Sequence, residues 1–192
     1  MSKVLFVIDV QNDFCEGGSM GVTGGAKGAA DITNYIKLHP EYDSVIASRD
    51  WHDAHNDNGG HIAWPPAEPN FVESWPPHCI SGTSGAEYHP AFDASLVNFH
   101  IVKGQGKPSY SIFEGETLNG ESLPDLLDRL SVDEVDVVGI ATDYCVLASA
   151  LDAKQSGRKV RVLADLTAGV APETSRAALV TLRENAVEVV EH

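Results

Sequence analysis

The sequence predicts an α/β protein: a three-layer α/β/α domain over residues 1–192, with helices on both faces of a six-stranded, mainly parallel sheet. Two observations predict it. Short β-branched apolar runs alternate along the chain with stretches of helical periodicity, so successive strands are joined by helical crossovers and pair in parallel. The runs are also continuous in apolarity rather than alternating, as strands covered on both faces are.

The first strand is Val4–Ile8, closed by Asp9. Gln11–Gly18 is a polar, glycine-closed loop, and Gly24-Gly25 introduces a helix reaching about Leu38, with Ile32, Tyr35 and Ile36 on one face. Ser44–Ser48 is the second strand and runs into Arg49-Asp-Trp-His52. From Asp53 to about Pro90 the chain is crowded with His, Pro, Gly, Asn and Trp and has little periodicity. Such a loop in a compact domain is functional or disordered, and its tryptophans favour an ordered, functional excursion. Phe99–Val102 is the third strand, with Lys103 at its exit. A second loop, Gly104–Gly120, leads to a helix over Leu123–Leu130. Val135–Ile140 is the fourth strand. The chain then turns through Ala141-Thr142-Asp143 into a helix carrying Val146, Leu147, Ala150 and Leu151 at helical spacing. Lys159–Leu163 is the fifth strand, with a loop at Asp165, and Pro172–Asn185 is a helix whose proline suits a first-turn position. Val187–Val190 closes the sheet as the sixth strand.

Composition narrows the function. A chain of 192 residues, 43% of them apolar, supports one substantial core. A net charge of −15 lacks the basic footprint of a nucleic-acid binder and gives no attraction to an anionic membrane. No segment approaches the roughly 18 apolar residues a membrane span needs. The first apolar run is short and meets Asp9, so no signal-peptide pattern is present. Cys15, Cys79 and Cys145 are odd in number and form no CxxC pair, which suits free thiols in a reducing cytoplasm. The expected partner is a small molecule, and a homo-oligomer is allowed.

In open parallel sheets, sites form beyond the carboxyl ends of the strands. Those ends carry Asp9, Asp50 with His52, Lys103 and Cys145. Cys145 falls in the first turn of a helix, where backbone N–H groups and the helix dipole favour a thiolate. Asp9 can take the thiol proton, and the Lys103 cation can hold the thiolate and depress its pKa. Asp50-x-His52 has period-two spacing, so both side chains face one way if the chain is extended. His61 and His78, with His55 as the rival to His61, would complete a mixed oxygen and nitrogen set suited to zinc, iron or manganese. His39, His89, His100 and His192 are read as surface or loop-bracing residues. Phe14, Trp75 and Tyr110 stand in loops over this rim and either wall a slot for a flat ring or anchor the loops. A thiol redox sensor, with Cys15 or Cys79 resolving Cys145, is the competing reading. It leaves Asp9, Lys103 and the histidines without a task.

Val7-Ile-Asp-Val-Gln-Asn-Asp-Phe14, Arg49-Asp-Trp-His52, Trp75-Pro-Pro-His-Cys79, Val102-Lys-Gly104 and Gly139-Ile-Ala-Thr-Asp-Tyr-Cys-Val146 together resemble the isochorismatase-like cysteine hydrolases. The resemblance covers nearly the whole chain and is strongest to the metal-containing nicotinamidase (pyrazinamidase) branch. It implies a triad of Asp9, Lys103 and Cys145, and one divalent metal ion (zinc, iron or manganese) held by Asp50, His52 and His78, with His61 as a fourth ligand. It also implies a cis peptide at Ile140–Ala141 and an oxyanion held by the N–H groups of Ala141 and Cys145. A small aromatic amide would lie among Phe14, Trp75, Tyr110, Ile140 and Ala141 and be hydrolysed through a thioester. Hydrolysis of isochorismate or of another small amide is the alternative within the family. Tyr144 departs from the pattern, since some relatives carry His there.

Overall fold

The computed structural model describes residues 2–191, so His192 and the two ends of the predicted domain lie outside the described residues. Seven strands form one sheet: β1 (Ser2–Ile8), β2 (Ser44–Asp50), β3 (Phe99–Lys103), β4 (Glu116–Thr117), β5 (Val132–Ile140), β6 (Lys159–Ala168) and β7 (Glu188–Val190). Their order is β4-β3-β2-β1-β5-β6-β7, and every neighbouring pair is parallel except β3 with β4. The sheet therefore has one strand more than the six predicted. The extra strand, β4, is two residues long and lies inside the loop expected after Lys103, too short to show a period of two. β6 also runs past Asp165 to Ala168, which pairs with Ile140 after a break in register.

Four helices cover the sheet: α1 (Gly25–Leu38), α2 (Leu123–Arg129), α3 (Leu147–Gln155) and α4 (Pro172–Glu184). Alternation along β1 divides the core. Val4, Phe6 and Ile8 face one way, against Leu126 and Leu127 of α2, Ala150 and Ala153 of α3 and Leu182 of α4. Leu5 and Val7 face the other way, against Ala29 and Ile32 of α1 and against Phe92 of the long excursion. The five side chains of Val4–Ile8 are completely buried, which explains the absence of a polar residue in this run. Burying each such side chain contributes about 1.5–3 kcal/mol. At the amino end of the sheet, Asp136 is 1% exposed and is held by Arg161 (2.7 and 2.5 Å), Lys3 (3.0 Å) and the Tyr42 hydroxyl (2.5 Å).

The excursion from residue 53 to 90 is ordered by bridges rather than by regular elements. His52 pairs with Ile80, Ile62 with Trp75 and Gln11 with Tyr88. Among the described residues, no helix is long and apolar enough to cross a membrane.

Candidate active site

The chain crosses from one half of the sheet to the other between β1 and β5, the switch point at which open α/β sheets form their crevice. Asp9 leaves β1 there in a left-handed turn, at φ 47°. Cys145 follows β5 across the gap. Its turn, Thr142–Val146, is a π-helical widening in which the Ala141 carbonyl accepts from Tyr144 (3.1 Å) and Val146 (3.0 Å), on either side of the cysteine. Such widenings recur at functional sites. Asp143 fixes the turn from outside by accepting from the amides of Val170 (2.9 Å) and Ala171 (3.3 Å), just ahead of α4.

The Lys103 ammonium, completely buried, lies between these groups. Its Nζ is 3.0 Å from Asp9 Oδ2 and 3.7 Å from Cys145 Sγ, and it hydrogen-bonds to Asp50 Oδ1. Burial alone would neutralise a lysine, but Asp50 and Asp9 outweigh it and hold the pKa well above the ordinary value. Asp9, Asp50 and Cys145 place one ligand atom each within 4.8 Å of one another, and Lys103 is the cation that serves all three. Asp9 Oδ1 also accepts from the buried Ser48 hydroxyl at 2.6 Å. Burial, together with the nearby Asp50 charge, raises the Asp9 pKa against the pull of Lys103, which makes this carboxylate a better base. Burial likewise pushes the Cys145 thiol well above its ordinary value, with Asp9 and Asp50 adding to the rise and Lys103 opposing it. Desolvation and Lys103 thus act in opposite directions on this sulfur.

The second cluster is formed by imidazoles. One ring nitrogen from each of His52, His61 and His78 lies within 4.8 Å of the others. His52 Nδ1 bonds to the Gly104 carbonyl at 2.8 Å and His78 Nδ1 to the Pro76 carbonyl at 2.7 Å. A carbonyl only accepts, so Nδ1 carries a proton in both rings and each Nε2 is turned toward the cluster. Those two atoms face Asp50 Oδ2 at 3.6 and 4.0 Å, and His52 Nε2 is buried without a hydrogen-bond partner. Burial first, then His52 and His78, lowers His61 to about 4, so its ring is neutral near pH 7. Imidazoles oriented by backbone carbonyls and converging on a carboxylate fit a divalent cation. Gly104 is required beside them. Its φ is +85°, and a Cβ there would lie 2.6 Å from His52 Cε1.

Both clusters open into one narrow cavity, in which about 40 Å³ is open to the centre of a water molecule. Cys145 and Ala141 form part of its wall and His61, His78 and Asp50 another part. The aromatic lining is Phe14, Trp75, Tyr110 and Tyr144. Trp75 Nε1 donates to the Tyr110 hydroxyl at 3.1 Å, and the Trp75 and Tyr144 rings meet edge to face at 5.3 Å. Cys145 is 7% exposed, so the sulfur is reachable from the cavity.

The model of the Isochorismatase domain matches residues 3–192. The chain belongs to the isochorismatase family. It is 48% identical over 188 residues to a nicotinamidase/pyrazinamidase of Mycobacterium tuberculosis, covering 98% of each chain. Among solved structures it resembles a protein of L. infantum in complex with nicotinate, with TM-score 0.84, 32% identity and 99% and 92% coverage of this chain and that one. It also resembles a pyrazinamidase of Pyrococcus horikoshii in complex with zinc, with TM-score 0.82, 31% identity and both chains fully covered.

Within this isochorismatase-family site, Asp9, Lys103 and Cys145 come together, as do Asp50, His52, His61 and His78. The rival His55 stands apart, exposed and stacked on Trp64 at 6.4 Å. The peptide between Ile140 and Ala141 is cis. Ile140 packs with Cys15, Val22 and Ala141, the last two of which line the cavity. His39, His89 and His100 lie elsewhere, with His39 on Tyr35 and His100 on Tyr88. The sequence reading missed Met20, Val22 and Val170 in the lining, and it missed Ser48, whose contact with Asp9 leaves no local pattern. Tyr144 was visible as a departure from the family pattern but was not placed in the cavity.

Proposed function

We propose that this chain, acting as one domain, hydrolyses the carboxamide of nicotinamide, and of pyrazinamide, to the acid and ammonia through a thioester on Cys145. The observation that carries the proposal is the convergence of a thiol, a buried base and a buried ammonium on an aromatic-walled cavity with an imidazole–carboxylate cluster beside it. The relatives named nicotinamidase/pyrazinamidase and pyrazinamidase, and the nicotinate in a similar structure, support it.

Asp50, His52, His78 and His61 would hold one divalent cation, whose identity among zinc, iron and manganese these donors do not select. When bound it supplies an electron-pair acceptor for the ring nitrogen and so orients the amide. Asp9 accepts the Cys145 proton as sulfur adds to the carboxamide carbon, and the oxyanion accepts from the N–H groups of Ala141 and Cys145. Asp9 then returns the proton to nitrogen as the C–N bond breaks, releasing ammonia and leaving the acyl group on sulfur. Water, deprotonated by Asp9, cleaves the thioester, which restores the thiol and frees the carboxylate product. Lys103 offsets the negative charge at each stage. The aromatic walls exclude bulk water and hold a flat ring.

The test measures ammonia release from nicotinamide and pyrazinamide, and pyruvate release from isochorismate, with and without a chelator. Chelator-sensitive deamidation of the first two supports the proposal, and activity confined to isochorismate overturns it. A sensor role is disfavoured because Cys15 and Cys79 are completely buried. Burial also pushes the Cys15 thiol up to about 11 and the Cys79 thiol well above its usual value, whereas redox-responsive thiols are exposed and low in pKa.

A further inference from the structure

The segment that leaves β1 does more than deliver Asp9. Gln11, completely buried, clamps the backbone of Asp50 from both sides. Its Oε1 accepts the Asp50 N–H and its Nε2 donates to the Asp50 carbonyl, each at 2.8 Å. The same Nε2 donates to the Ala86 carbonyl at 2.8 Å, tying in the far end of the excursion. A side-chain amide here substitutes for a strand neighbour at the point where β2 ends. Two residues on, Asp13 Oδ2 accepts the amide of Cys79 at 2.7 Å. Cys79 is left-handed, at φ 46°, and directly follows His78, so this bond fixes the backbone that presents the His78 ring. Asp13 is closely walled, because a Cβ on Gly85 would come 2.1 Å from the same Oδ2. Phe14 completes the segment, its ring 5.6 Å from that of His78.

We propose that Gln11 and Asp13 are positioning residues for the cation site, which they hold in its binding geometry by fixing the main chain at Asp50 and at His78–Cys79. This inference rests on the reading of Asp50 and His78 as ligands given above. Hydrogen-bond partners behind a ligand typically change metal affinity 10–100-fold when removed. Here the support acts on the backbone rather than on the ligating side chain. His52 lies between the two clamped points, since its N–H donates to the Cys79 carbonyl at 3.0 Å.

The test uses the full chain and zinc ion as the probe. Zinc affinity is measured by competition with a chelator in the absence of substrate, for wild type, Gln11→Met, Asp13→Ala, Asp13→Asn and the control Thr33→Val. Thr33 braces the remote α1 with a buried hydroxyl that bonds to the Ala29 and Ala91 carbonyls at 3.0 Å each, so its loss reports destabilisation alone. The expected result is a zinc affinity about 10–100-fold weaker in Gln11→Met and Asp13→Ala. Thr33→Val should bind as wild type, and Asp13→Asn, which keeps an acceptor for the Cys79 amide, should recover most of the loss. If Gln11→Met does not fold, the comparison of Asp13→Ala with Asp13→Asn decides. Zinc affinity unchanged in Asp13→Ala or in folded Gln11→Met overturns the inference, as does a wild type that takes up no zinc. Nicotinamide deamidation by wild type is read in parallel. Zinc uptake without deamidation would overturn the proposed reaction and leave the positioning role standing.

Discussion

Asp50 and Lys103 are register partners at the ends of β2 and β3, and their side chains meet in a buried ion pair. The pair joins the two halves of the site. Oδ1 of Asp50 serves the ammonium that neighbours Cys145, while Oδ2 faces the two imidazoles. Asp50→Asn removes a negative charge from both halves at once. Zinc affinity is expected to fall by about 100-fold and deamidation to fall with it. Chelator competition and ammonia release measured on the same sample check this.

Loss of the Cys145 thiol separates the halves. Cys145→Ala is expected to lower turnover by about 1,000-fold or more while zinc content stays that of wild type. Asp9→Asn is expected to cost turnover on a similar scale. It should also slow alkylation of Cys145 by iodoacetamide, because the thiol loses the base beside it. Appreciable turnover by Cys145→Ala would rule out the covalent route.

His61 and His55 give opposite expectations. His61→Ala removes a neutral ring from the cluster and is expected to weaken zinc binding by about tenfold or more. His55→Ala, at an exposed position on Trp64, is expected to leave zinc affinity unchanged. Chelator competition distinguishes the two.

Acid stability should reflect Asp136. Burial raises its carboxyl pKa, but Arg161, Tyr42 and Lys3 outweigh burial and hold it below the ordinary carboxylate value. Its contribution is therefore complete above the unfolded pKa of about 3.9 and is lost as pH falls through the lower folded value. Asp136→Asn is expected to destabilise the protein near pH 7 and to flatten the acid limb of the stability curve. The cost at neutral pH is about 2–3 kcal/mol. That is below the range for a fully buried pair, because the Arg161 side chain is 37% exposed. Urea unfolding between pH 3 and pH 7 measures both effects.

Most of this site could be read from the chain because its chemistry stands where strands end. Asp9, Lys103 and Cys145 each terminate or follow an apolar run, and parallel pairing brings such ends to one edge. Contributions that depend on the path of a loop were not legible. Ser48 lies within a strand and resembles any small core residue until Asp9 turns back toward it. Val170 reaches the cavity only because Asp143 anchors its loop from a distant segment. At Cys145 a helix start and a nearby lysine are visible in sequence, whereas the burial that opposes them is a property of the packed interior. The two-residue β4 carries no pattern at all.

The adjacency of β1 and β5 has a consequence for biosynthesis. Asp9 follows β1 and Cys145 follows β5, more than 130 residues later, so the two groups meet only when these distant segments pair. Until β5 is available, one edge of β1, a strand whose Val4–Ile8 run is apolar, has no strand to pair with and is open to association with other chains. Late closure of the central pair thus makes catalytic competence and protection from aggregation arrive together.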